Sequence, residues 1–288
     1  MRNGLHSASG GGITFAMDAI DKTASLFGRH KAVIGMIHVG ALPGTPHAKL
    51  GVAALTLAAI EEARLLAAGG VDAILLENMH DRPYLRQAVG PEIVAAMTAV
   101  TAGVRAATEL PLGVQILAGA NREGLAVALA AGCTFLRAEN FAYAHVADEG
   151  LMPEADAGPL LRYRRALGAG HIAVLADVKK KHSSHAITAD VNIAEAARTA
   201  EFFGADAVIV TGVATGQPTE PADAQAAKEA VRVPVLIGSG VTPENLPALW
   251  PYADAFIVGS SIKREGDWRN GPDPGRIKAV LDAANRLR

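Results

Sequence analysis

The chain has 288 residues, with 27 Lys and Arg against 29 Asp and Glu, and so a formal charge of −2. Half of it is hydrophobic, enough for a large core, and the near-neutral balance excludes nucleic-acid binding through a broad basic surface. No uncharged run reaches about 18 residues, which argues against a transmembrane segment, and the single cysteine excludes an intrachain disulfide or a multi-cysteine metal site.

That residue, Cys133, precedes an apolar run and is expected in the core; one cysteine also suits a reducing, cytoplasmic setting. Residues 1–12 are polar and glycine-rich, unlike a signal peptide. They read as a loose leader followed by a short helix over 15–27. Residues 1–30 are therefore assigned to a tail and short helix, and 31–288 to one domain. Gly10, Gly11 and Gly12 lack a strand–helix context and do not read as a phosphate loop.

Beyond residue 30, eight apolar runs recur at 33–39, 72–78, 112–117, 134–138, 172–178, 206–211, 234–238 and 254–259. They lack polar alternation, as strands covered on both faces do. Helical segments follow them at 52–68, 91–109, 122–131, 159–166, 193–203, 221–231, 243–250 and 274–287. Several begin at or near a proline, which fits a first helical turn. Four helix-to-strand junctions share a pattern, ending in Asp72, Thr134, Asp206 and Asp254. The first three carry a glycine two residues earlier, suited to a left-handed helix end. Eight such units predict a single (β/α)8 TIM barrel, with an open doubly wound sheet as the alternative.

In a barrel, chemistry sits at the C-terminal ends of the strands, and polar residues concentrate there. The last two runs end in Gly238, Ser239 and Gly240, and in Gly259, Ser260 and Ser261. Glycine lets backbone N–H groups approach an anion, and serine adds a hydroxyl, so these six residues form a candidate phosphate site. Thr242, Pro243 and Glu244 resemble a helix start beside it.

The fifth run continues into Asp177, Lys179, Lys180, Lys181 and His182. Asp177 emerges from an apolar strand and is a candidate for proton transfer, with Glu77 and Lys181 in the same role and His38 and His182 assisting. Lys180 reads as solvated. Asn78, Arg137, Glu139, Lys179 and Thr211 are candidate substrate contacts. Glu77, Glu139 and Asp177, with His38, His182 and His185, leave a divalent metal open, although no compact metal motif is present. His80, Asp81, His145 and Asp148 fall on loops and read as solvated; the basic face at 162–165 reads as exposed helix.

Seven blocks in order carry a family likeness: VIGMIHVGALPGTP, AILLENMHDRPY, LLRYRRALGA, LADVKKKH, VIVTGVATG, VLIGSGVTPENL and FIVGSSIKREG. Together they resemble the BtpA/SgcQ family over about residues 33–277. The resemblance implies a phosphate-binding TIM barrel of the ribulose-phosphate-binding type. The family takes its name from a factor needed for photosystem I accumulation, and other members occur in sugar-utilisation operons. Where the family usually has His-Val, this chain has Lys179 and Lys180, so a role resting on that histidine does not transfer.

The expected function is an enzyme acting on a small phosphorylated metabolite, a sugar phosphate or phosphoribosyl compound. Isomerase, epimerase and lyase chemistry all suit its groups. The alternatives are a non-catalytic assembly factor and an FMN-binding barrel, the latter disfavoured by few aromatic residues at the strand ends. Neither a nucleic acid nor a membrane is expected as partner. Homo-oligomerisation stays open, because the apolar segment 53–60 suits either core or subunit contact.

Overall fold

Short polar residues at the start of the apolar runs tie neighbouring strands together. Asp72 takes the Val33 N–H on its carboxylate while its own N–H donates to the Val33 carbonyl, at 2.8 and 2.9 Å. Asp206 does the same to Val174, and Asp254 to Val235. The repeated pattern is thus a register lock at the bottom of a sheet. The structure, a computed structural model, describes residues 18–212 and 215–288.

The strands are β1 (Ala32–His38), β2 (Ala73–Glu77), β3 (Leu112–Gln115), β4 (Phe135–Ala138), β5 (Ala173–Val178), β6 (Ala207–Val210), β7 (Val235–Ile237) and β8 (Ala255–Val258). They close a parallel barrel in the ring order β1-β8-β7-β6-β5-β4-β3-β2. Closure through β1 and β8 excludes the doubly wound alternative. Outside lie α2 (Val52–Gly69), α3 (Pro91–Ala107), α4 (Asn121–Ala130), α5 (Ala157–Ala166), α6 (Ile193–Phe202), α7 (Pro221–Ala230), α8 (Leu246–Leu249) and α9 (Pro274–Leu287), after an initial α1 (Ala19–Phe27). Among the described residues, no helix is long and apolar enough to cross a membrane.

Side chains alternate across each strand. Ile34, Met36, Leu75, Phe135, Leu175, Ile209, Leu236 and Ile257 fill the barrel, while Val33, Ile37, Ile74 and Leu136 pack outward under the helices. Phe135 occupies the lower barrel because Gly113 has no side chain; a Cβ there would stand 2.0 Å from the Phe135 ring. Phe27, the last residue of α1, meets Phe135 edge-on at 5.3 Å and closes the bottom. The initial helix expected at 15–27 thus appears as α1; residues 15–17 and the glycine leader lie outside the described residues.

Two features depart from expectation. The helix expected at 243–250 shrinks to α8, followed by a 3-10 turn at Trp250–Tyr252. Asn245 accepts the Thr242 N–H at 2.8 Å and donates to the Gly240 carbonyl at 2.7 Å, which folds the segment into a turn. An unanticipated antiparallel sheet crosses the rim, with His145–Ala147 between Gly150–Met152 and Ser183–Ser184. Its strands are two or three residues long, too short for a periodic signal.

Candidate functional site

The alternation that fills the barrel continues to the strand tops. Counting by two from the inner apolar residues reaches His38, Glu77, Gln115, Arg137, Asp177, Thr211, Gly238 and Gly259. These form the last inward layer. His38 pairs in register with Glu77, and Glu77 with Gln115. Two adjoining cavities open above them. The inner one lies under the glycine turns and is lined by His38, Glu77, Arg137, Lys181, Gly238, Ser239, Gly240, Gly259 and Ser260. The outer one, of about 250 Å³, shares Glu77, Arg137 and Lys181 and adds Gln115, Glu139, Tyr84 and Trp268.

Most charges here are paired. Arg137 Nε and Nη2 each lie 3.1 Å from an Asp177 carboxylate oxygen, and both side chains are buried. Lys180 Nζ lies 3.2 Å from Glu139 Oε1, again buried. Among the described residues, Glu77 and Lys181 have no such partner. Burial pushes the Glu77 carboxyl above the ordinary carboxylate range, against the pull of Arg137 and Lys181. Burial first, then the Arg137 charge, pull the Lys181 ammonium below its usual range. An acid that holds its proton longer and a base that loses its proton sooner therefore line the same cavity.

His38 Nδ1 sits 3.0 Å from the Trp268 carbonyl, which can only accept, so Nδ1 carries the proton. Burial first, then the Lys263 charge, pull His38 well below its ordinary range and keep the ring neutral. Nε2 is left as an acceptor beside Gly259, where an added Cβ would lie 3.4 Å away.

Several expected site residues have other work. Asp177 lines neither shared cavity; it holds Arg137 in place and borders a separate chamber behind it. Glu77 and Lys181, by contrast, line both shared cavities. Lys179 points into that chamber and donates to the Thr188 carbonyl at 3.3 Å. Asn78 bridges Asp81 and the Leu117 N–H, at 2.8 Å each. The Thr211 hydroxyl accepts the Lys181 N–H at 3.0 Å, which fixes that lysine's backbone. Ser261 donates its hydroxyl to the Val241 carbonyl and lies outside the inner cavity. His182 Nε2 accepts from the Thr215 N–H and hydroxyl, so its proton sits on Nδ1, 3.4 Å from Asp148. It borders the outer cavity as a clasp between rim loops.

Lys180, Asp81 and His145, expected in solvent, are buried, and Asp148 reaches the outer cavity. Tyr84 and Trp268 also line the outer cavity, outside the sequence candidates; a lone tryptophan in the polar segment 267–270 is the signal for the second. Among the described residues, no three His, Cys, Asp or Glu side chains are grouped to hold a metal ion.

In the glycine turns, the Gly238 N–H donates to the Val210 carbonyl at 2.8 Å. The N–H groups of Gly240, Ser260 and Ser261 meet no protein acceptor among the described residues. Gly238 leaves room for Ile209, whose Cγ2 a Cβ there would meet at 2.4 Å, and the Arg137 guanidinium lines the same cavity. The inner cavity thus offers backbone donors and a guanidinium edge to an anion.

The pattern of the BtpA family matches residues 29–286. A mitochondrial protein of Caenorhabditis elegans is 45% identical over 261 residues, covering 89% of this chain and 94% of its own length. The photosystem I biogenesis protein BtpA of Synechocystis is 37% identical over 258 residues, covering 89% of each chain. Among solved structures, (S)-3-O-geranylgeranylglyceryl phosphate synthase from Thermoplasma acidophilum, in complex with sn-glycerol-1-phosphate, superposes with a TM-score of 0.60. It is 15% identical and covers 94% of this chain and 100% of its own. Thiamine phosphate pyrophosphorylase from Pyrococcus furiosus gives 0.56 at 14% identity, covering 89% and 96%. These likenesses establish the barrel fold.

Proposed function

The chain belongs to the BtpA family, and we propose that it is an enzyme acting on a small phosphorylated metabolite by acid–base chemistry. The observation that carries this reading is the unpaired couple of Glu77 and Lys181 in the cavity that also holds the glycine turns. The substrate phosphate binds under Gly238, Ser239, Gly240, Gly259 and Ser260, with Arg137 at its edge. That anchoring positions the carbon skeleton between Glu77 and Lys181. One group takes a proton from carbon and the other supplies one to oxygen, the exchange that isomerases, epimerases and lyases share. Neutral His38 accepts a hydrogen bond from substrate through Nε2. Asp177 acts only through Arg137. Titration with sugar phosphates and their unphosphorylated counterparts tests the anchor, and deuterium uptake from D2O into the bound sugar phosphate tests the proton transfer. Equal affinity for both series overturns the first; absence of exchange from a bound sugar phosphate overturns the second.

The name of the Synechocystis relative favours a second reading, an assembly factor that keeps the barrel without catalysis. In that case neither the unaltered protein nor Glu77→Gln takes up deuterium into a bound sugar phosphate.

A further inference from the structure

Two polar groups in the outer cavity have no part in the proton transfer. Gln115, 2% exposed, ends β3 beside Glu77, and its buried Oε1 receives no hydrogen bond from the described residues. Glu139 follows β4; Lys180 holds Oε1, while Oε2 is buried with no donor among the described residues. Both residues line the outer cavity. A buried acceptor without a donor is costly and rarely idle.

The surroundings restrict what satisfies them. Arg137, Lys180 and Lys181 line the same space and oppose a cationic donor such as an ammonium group. Glu77 and Glu139 oppose a second anion. A neutral group with two neighbouring O–H donors meets both demands. Hydroxyls also accept, so they pair with Gln115 whichever end of its amide faces the cavity. Trp268 and Tyr84 add flat apolar wall, suited to the C–H face of a sugar ring.

We infer that Gln115 and Glu139 bind a vicinal diol at the end of the substrate remote from its phosphate. The substrate class is then a sugar phosphate with that diol intact. This rests on the phosphate anchor proposed above. Neither residue exchanges a proton with the reacting carbon; both set specificity.

Calorimetric titration of the purified protein with ribose 5-phosphate, 2-deoxyribose 5-phosphate and ribose separates the two claims. The expected result is a preference of about tenfold or more for ribose 5-phosphate over its deoxy analogue, because the analogue leaves one buried acceptor unpaired. Gln115→Met keeps the side-chain length and is expected to bind both phosphates with the deoxy analogue's affinity. Equal binding of the two phosphates by the unaltered protein overturns the diol site and leaves the phosphate anchor standing. Ribose binding as tightly as ribose 5-phosphate, or no binding of any probe, overturns the anchor and this inference with it. A preference retained in full by Gln115→Met overturns the assignment to Gln115.

Discussion

Arg137 grips Asp177 from the neighbouring strand, Nε 3.1 Å from Oδ1 and Nη2 3.1 Å from Oδ2, with both side chains almost fully buried. The aspartate is therefore the support of a cation, and Arg137 is the member that faces the cavities. Removing one partner of a buried pair leaves an uncompensated charge. Asp177→Asn is expected to lose about 3–5 kcal/mol of folding stability, read by urea denaturation. It also weakens phosphate binding through a displaced guanidinium. A variant with unaltered stability contradicts the supporting role.

The glycine turns separate into one structural and one functional position. At Gly240, φ is +65°, and a Cβ would stand 2.2 Å from the Gln217 carbonyl oxygen. Gly240→Ala is thus expected to destabilise the rim whatever the ligand does. At Gly259 a Cβ meets the His38 ring at 3.4 Å, ordinary contact. Gly259→Ala should keep its melting temperature within a few degrees yet bind sugar phosphates about tenfold more weakly, by narrowing the anion cavity. Affinity unchanged in Gly259→Ala places the phosphate elsewhere.

How far the sequence discloses this site follows from the same residues. The strands and their apolar cores were legible, and counting by two from Phe135 or Leu75 places Arg137 and Glu77 inside the barrel. That count also reaches Asp177, but it is silent on which inward groups consume one another; the Arg137 fork comes from the strand next door. Lys180 misled for a related reason. The middle of three consecutive lysines looks solvated, but Lys180 is buried and paired with Glu139. The helix expected from Pro243 failed because the Asn245 side chain competes with the backbone for Thr242 and Gly240.

The perturbed Glu77 carboxyl sets a direction for stability against pH. Its folded-state pKa lies above the unfolded one. Between those values the unfolded state has released its proton and the native state still holds it, so stability falls as pH rises through that window. Glu77→Gln removes this contribution. Stability measured by denaturation from pH 4 upward is expected to decline less steeply for the variant, with the gap from the unaltered protein constant once pH exceeds the folded-state pKa. Parallel curves for the two proteins contradict a protonated Glu77. The same variant should abolish deuterium uptake while still binding sugar phosphate, since the anchor lies on β7 and β8.

Phe27 tests whether the initial helix belongs to the barrel. It is 1% exposed, packs edge-on against Phe135 and joins the inner cluster with Ala32, Leu75 and Leu175. α1 is held in place at both ends: Asp18 accepts the Asp21 N–H at 2.8 Å, and Gly28 closes the helix with φ 81°. Phe27→Ala removes the ring that closes the lower barrel and leaves a cavity against Phe135, at a cost of about 3–5 kcal/mol. The site is at the opposite end of the strands, so ligand affinity at a temperature where the variant is folded should match the unaltered protein. A stability loss much below 1 kcal/mol, the size of a surface change, would show that the helix rests on the barrel without closing it.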